Sequence, residues 1–205
     1  MSRHYSPVVL ALAALSLAAC GQPEAEKAPA VEASTAMPPE APVAPASFDL
    51  SAVPVSTAPL GAAPYFTVPA GYRTEATGVI PATEFPVWTG AGFQTVEGDV
   101  HWTRIGEEPG KTLSRLEVAR AIETQVTAAG GVQVASGQVP ESAVAALPEL
   151  TRTELLDALG DNTNSPTTTY VIRRADKTLW INSVVSIEVA YLSVVESAPF
   201  VVPAT

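Results

Sequence analysis

Cys20 is the only thiol in this 205-residue chain. One cysteine can form neither an intramolecular disulfide nor a thiolate metal cluster, so its chemistry is that of a single nucleophilic sulfur. Glu97, Asp99 and His101 recur at every second residue. On a strand that spacing puts two carboxylates and an imidazole on one face, the residue types of a metal site or of a hydrolase's acid–base pair. A solvated strand face explains the same alternation more simply. Gly106-Glu107-Glu108-Pro109-Gly110-Lys111-Thr112 imitates a phosphate loop, but three residues separate its glycines where the motif needs four. Its two carboxylates repel phosphate and its proline lacks a backbone donor. It therefore reads as an ordinary turn, and no nucleotide is expected. Trp88, Trp102 and Trp180 could line an aromatic groove for a small ligand or glycan, although each falls in a strand pattern and suits a buried anchor better. No Gly-x-Ser-x-Gly elbow occurs. The expectation is a non-enzymatic protein with no catalytic residue, cofactor or metal.

The surroundings of Cys20 give its sulfur a role. Arg3 provides a short basic end, Pro7 to Leu17 an apolar stretch, and Leu17-Ala18-Ala19 leads into the cysteine. The stretch has the length of a signal-peptide core and is too short to span a bilayer as a stable helix. Leu17-Ala18-Ala19-Cys20 resembles the bacterial lipobox. That resemblance implies recognition of Leu17, Ala18 and Ala19 by a signal peptidase, lipidation of the Cys20 sulfur by acyl chains such as palmitate, and cleavage before Cys20. Several acyl chains hold firmly, since each buried methylene contributes about 0.8 kcal/mol. Gly21 follows, where the enterobacterial sorting rule would need Asp for inner-membrane retention. The implied address is the periplasmic face of the outer membrane, with the lipid on Cys20 as the membrane contact.

Residues 20–47 read as a tether. Pro23, Pro29, Pro38, Pro39, Pro42 and Pro45 alternate with Ala, Glu and Val, without helical or strand period. Such a segment buries too little surface to offset its ordering entropy, and its prolines favour extended conformations. At about 3.1 Å per residue it would reach roughly 80 Å. The chain carries 21 acidic and 11 basic residues, a balance that opposes nucleic acid and adhesion to anionic lipid.

From Phe48 the chain reads as one α+β domain running to Thr205. Short strands are expected near Tyr65–Val68 and Thr83–Trp88. Phe93–Ile105 alternates as a half-buried strand, with a bend at Gly98. Ser114 and Glu117 form a capping-box pattern, and Leu116, Ala119, Ile122, Val126 and Ala129 recur at helical spacing up to Gly130-Gly131. Val132–Val139 reads as a strand. Thr151 caps a second short helix, with Leu150 stapled to Leu155 and Gly160 at its end. Thr168–Arg174 and Lys177–Asn182 form a hairpin about Ala175-Asp176, and Val184–Glu196 one long strand. The expected arrangement is a mostly antiparallel sheet with two helices packed on one face.

The domain also resembles the N-terminal part of OmpA-family outer-membrane lipoproteins. The likeness rests on Phe48-Asp49-Leu50-Ser51, Val55 to Gly61, Pro64-Tyr65-Phe66, Phe85 to Gly90, Val96-Glu97-Gly98 and Leu192 to Glu196, and spans Phe48 to Ser197. In those proteins a peptidoglycan-binding domain normally follows; here Ala198 to Thr205 remain, so the residues that would hold diaminopimelate are absent and wall binding is not carried over. The resemblance implies a module of envelope organisation with an envelope protein as partner.

Overall fold

The computed structural model describes residues 48–200. The leader, Leu17, Ala18, Ala19, Cys20 and the tether lie outside the described residues, as do residues 201–205. Six antiparallel strands form one sheet: β1 (Tyr72–Trp88), β2 (Phe93–Glu107), β3 (Val132–Gly137), β4 (Thr167–Arg173), β5 (Thr178–Val185) and β6 (Ala190–Ser197). Their spatial order is β1-β2-β6-β5-β4-β3. Helix α1 (Arg115–Ala128) joins β2 to β3, and three short helices, α2 (Glu141–Ala145), α3 (Glu149–Glu154) and α4 (Leu156–Leu159), join β3 to β4. None of the described helices is long and apolar enough to cross a membrane.

The α+β class and the antiparallel sheet match the sequence reading; the placement of the helices does not. Cross-strand register separates two sheet faces. One face carries Ile172, Leu179, Ile181, Leu192 and Val194, and packs on Val118, Ile122 and Val126 of α1. The other carries Val171, Trp180, Val195 and Val100, and packs on Leu155, Ala158 and Leu159 around α4. The helices thus divide between the faces, because β4, β5 and β6 are apolar on both sides. Every residue of β5 is buried, the mark of a strand covered twice.

The remainder of the second face is covered by the β1–β2 hairpin. β1 and β2 pair over their whole length, but β6 joins β2 only from Asp99 onward. Beyond that point the ribbon curls over the sheet, and Phe85, Val87 and Val96 join the core beneath α4. Its tip, Trp88 and Phe93, packs with Ala135 and Val139, next to the opposite edge strand β3. Two devices permit the curl. A register shift lies between Ile80 and Thr83, where Pro81 sits in an edge strand at a bulge. Opposite, a Cβ on Gly98 would collide with the Glu196 carbonyl of β6, so only glycine lets the strands meet there.

Several local expectations change for identifiable reasons. α1 starts where the capping pattern places it, with Ser114 Oγ accepting from the Glu117 amide at 3.4 Å. The reciprocal half of the box is replaced: the Ser114 amide donates to the Tyr72 hydroxyl at 3.1 Å, and that hydroxyl donates to Glu117 at 2.9 Å. The buried stripe begins at Val118, while Leu116 is 60% exposed. The second helix starts after Pro148 and breaks at Leu155; Leu150 is exposed and staples nothing. Tyr65–Val68 is irregular, with a bend at Phe66, and the anticipated Val184–Glu196 strand is split by a turn in which the Ser186 amide donates to the Val189 carbonyl. β3 ends at Gly137, two residues short of Val139.

Candidate functional site

Glu97 and Asp99 of β2 open onto a cleft beside β6. It measures about 660 Å³ and is bordered by Glu84, Glu97, Asp99, Asp176, Lys177 and Glu196. Five carboxylates and one ammonium give it a field that opposes anions. Asp99 Oδ1 accepts from the Ala82 amide at 2.9 Å. Ala82 has φ +46°, so the carboxylate secures the strained residue of the β1 bulge.

Glu196 is the most engaged of these acids. Its Oε1 accepts from Lys177 Nζ at 2.7 Å, and its Oε2 accepts from the Tyr65 hydroxyl. The Lys177 hydrogen bond, then the Tyr65 one, holds the Glu196 carboxyl below the usual carboxylate range. The same bond to Glu196 raises the Lys177 ammonium, and burial, then Glu196, raises the Tyr65 phenol. Tyr65 has φ +72° and packs edge-on against His101, with centroids 6.0 Å apart. The group fastens the segment before β1 to β5 and β6. His101 is therefore an aromatic neighbour of this tie. No hydrogen bond joins it to Glu97, Asp99 or a serine among the described residues, and no group of three acidic, His or Cys side chains is placed to hold a metal ion among them.

The loop that imitates a phosphate site has its lysine committed elsewhere. Lys111 Nζ donates to Glu117 Oε1 at 2.8 Å and lies 4.0 Å from the Tyr72 ring centroid. Glu117 thereby pairs with both Lys111 and Tyr72. This matches the reading of an ordinary strand-to-helix turn.

The three tryptophans do not line one groove. Trp180 is buried beneath Phe48, with ring centroids 6.0 Å apart. Trp102 is half-buried on the same face, over Gly78, where any Cβ would meet its indole at 2.8 Å. Trp88 belongs to the separate cluster at the ribbon tip, against Phe93 at 5.3 Å. Trp88 and Trp180 are buried anchors, as the strand patterns suggest, while Trp102 covers its cross-strand neighbour Gly78.

A smaller cavity of about 460 Å³ lies under α2–α4, where sequence reading placed no site. Its apolar wall is formed by Val144, Leu147, Leu156 and Leu159, and its polar groups include Arg104 and Arg152. Only the arginine-bearing stretch Glu149–Leu159 could have hinted at it, and without the fold nothing brings Arg104 beside Arg152. Comparison with protein-family models and with curated proteins finds no match for this chain.

Proposed function

We propose that the protein is a lipid-anchored outer-membrane lipoprotein whose α+β domain acts in the periplasm as a non-enzymatic interaction or scaffold module of the cell envelope. The observation that carries this reading is the placement of the sole cysteine directly after Leu17-Ala18-Ala19. An apolar stretch of signal-peptide length precedes it and a proline-rich stretch follows. The net negative charge of the chain suits an exported domain that must stay dispersed. On this reading the domain is the membrane-proximal module of an OmpA-family lipoprotein, and its partner is another envelope protein. A glycan- or ligand-binding role through the tryptophans has less support, because Trp88 and Trp180 are buried in different clusters.

Replacing Cys20 with serine tests the reading. In cells fed a labelled palmitate, wild-type protein should incorporate label and fractionate with outer membranes. Cys20→Ser should lose the label, retain its leader and leave that fraction. Unchanged processing and fractionation of the variant overturns the proposal.

A further inference from the structure

The cavity under α2–α4 combines features that the acidic cleft lacks. Arg104 on β2 and Tyr191 on β6 are cross-strand partners, and the Arg104 guanidinium lies 5.9 Å from the Tyr191 ring centroid. They form the floor on the sheet side. Gly160, with φ +62°, closes α4 directly over that ring, where a Cβ would meet it at 2.7 Å. The roof is apolar, with Leu147, Leu156 and Leu159. Leu156 is 66% exposed at the mouth, and the volume falls in the range of small-molecule clefts.

The decisive group is Arg152 on α3. Its side chain borders the cavity, and its Nε is shut away from solvent with no hydrogen-bond partner. That Nε is as closed to a ligand as to water, but no hydrogen bond or ion pair engages the terminal nitrogens of the same guanidinium among the described residues, and a carboxylate meets their demand best through paired N–H···O bonds. The other charges leave that demand open. Arg104 is ion-paired with Glu75 at 3.3 Å. The Asp161 carboxylate is turned into its own loop by Asn164 and Thr163, with hydrogen bonds of 2.9–3.0 Å. Asp157 borders the cavity without pairing to Arg152, and its charge disfavours a doubly charged phosphate more than a singly charged carboxylate. We propose that this cavity is a binding site for a small amphiphilic carboxylate. Its acid group pairs with Arg152, and its aliphatic or aromatic body lies between Leu147, Leu156, Leu159 and Tyr191. The site is independent of the lipid anchor and of the tryptophans.

The test uses the full-length protein in nanodiscs of uncharged lipid, with 4-phenylbutyrate as probe and 4-phenylbutanol as its neutral twin. The readouts are the NMR signals of the Arg152 Nε–H and of the Leu147 and Leu156 methyls, which report this cavity and not partition into lipid. The acid should shift all three and bind at least about tenfold more tightly than the alcohol. Arg152→Met should remove that preference, and Leu156→Glu, a change at an exposed position that leaves the core intact, should weaken both probes by loss of the apolar wall and the acid more than the alcohol by charge repulsion. Equal binding of acid and alcohol, tighter binding of phenyl phosphate, indifference to Leu156→Glu, or no shift up to about 10 mM overturns the proposal.

Discussion

At the scale of single residues, Glu196 shows how position converts an ordinary acid into a fastener. Both of its oxygens are occupied, by Lys177 and by Tyr65, and its pKa is depressed from the ordinary 4.5. A depressed carboxyl stabilises the fold above its unfolded pKa and loses that contribution as pH falls through the folded value. Lys177 is raised from 10.5, so its share persists below that pH and fades only as pH rises through the higher folded value. The tie is therefore intact throughout the neutral range. Glu196→Gln should lower stability by about 1 kcal/mol at pH 7. In denaturant titrations at successive pH values, the variant should also lack part of the wild-type loss below about pH 5. A parallel pair of pH profiles would show that the tie contributes nothing. Sequence reading drew attention to Glu97, Asp99 and His101 because they alternate; it passed over Glu196 and Tyr65, which are 131 positions apart and share no local pattern.

At the scale of elements, what could be read was what is local. The start of α1 at Ser114, the period-two alternation of β2 and the β4–β5 hairpin about Ala175-Asp176 each follow from neighbouring residues. The full length of β1 did not, because the stretch ahead of Thr83 is rich in turn residues and carries Pro81, which an edge strand tolerates at a bulge. The turn between β5 and β6 was hidden by Ile187, an apolar residue that is 68% exposed at the turn. The second helix breaks in two at Leu155, whose φ −103° and ψ +14° leave the helical range, and no side-chain cap serves α3 or α4. Gly98 was legible as a bend, but its real constraint is the close approach of β6. Gly98→Ala should cost about 1–3 kcal/mol by forcing the strands apart, measurable as a lower urea midpoint at unchanged slope. A midpoint equal to wild type would mean that the ribbon can relax around a methyl group.

At the scale of the whole molecule, both faces of the sheet need cover, and the chain supplies it with unlike materials. α1 covers one face; a curled hairpin, α4 and the segment from Phe48 to Val53 cover the other. The α+β class was legible because the helix and strand periods are local. The division of the helices between faces was not, because it depends on which rows of β4, β5 and β6 align, and both rows are apolar. Trp88 and Trp180 lie in different clusters for the same reason, because a two-faced sheet needs large side chains as filling on each side. The hairpin tip links β1 and β2 to the far edge, through Trp88, Phe93, Ala135 and Val139. Trp88→Ala should cost about 3–5 kcal/mol, and hydrogen exchange should quicken in β3 more than in β5. Protection lost evenly across the sheet would show that the tip does not guard that edge.

The segment that enters the domain does not join it at a margin. Phe48 sits against Trp180 of β5, the Arg173 guanidinium donates to the Ser51 and Val53 carbonyls at 3.4 and 3.2 Å, and Val55 bridges to Arg173 within β4. Tension arriving along the chain from ahead of Phe48 is thus delivered to interior strands. An aromatic contact and side-chain hydrogen bonds would give way first, like a sacrificial stitch, while the ladders between β4, β5 and β6 still hold.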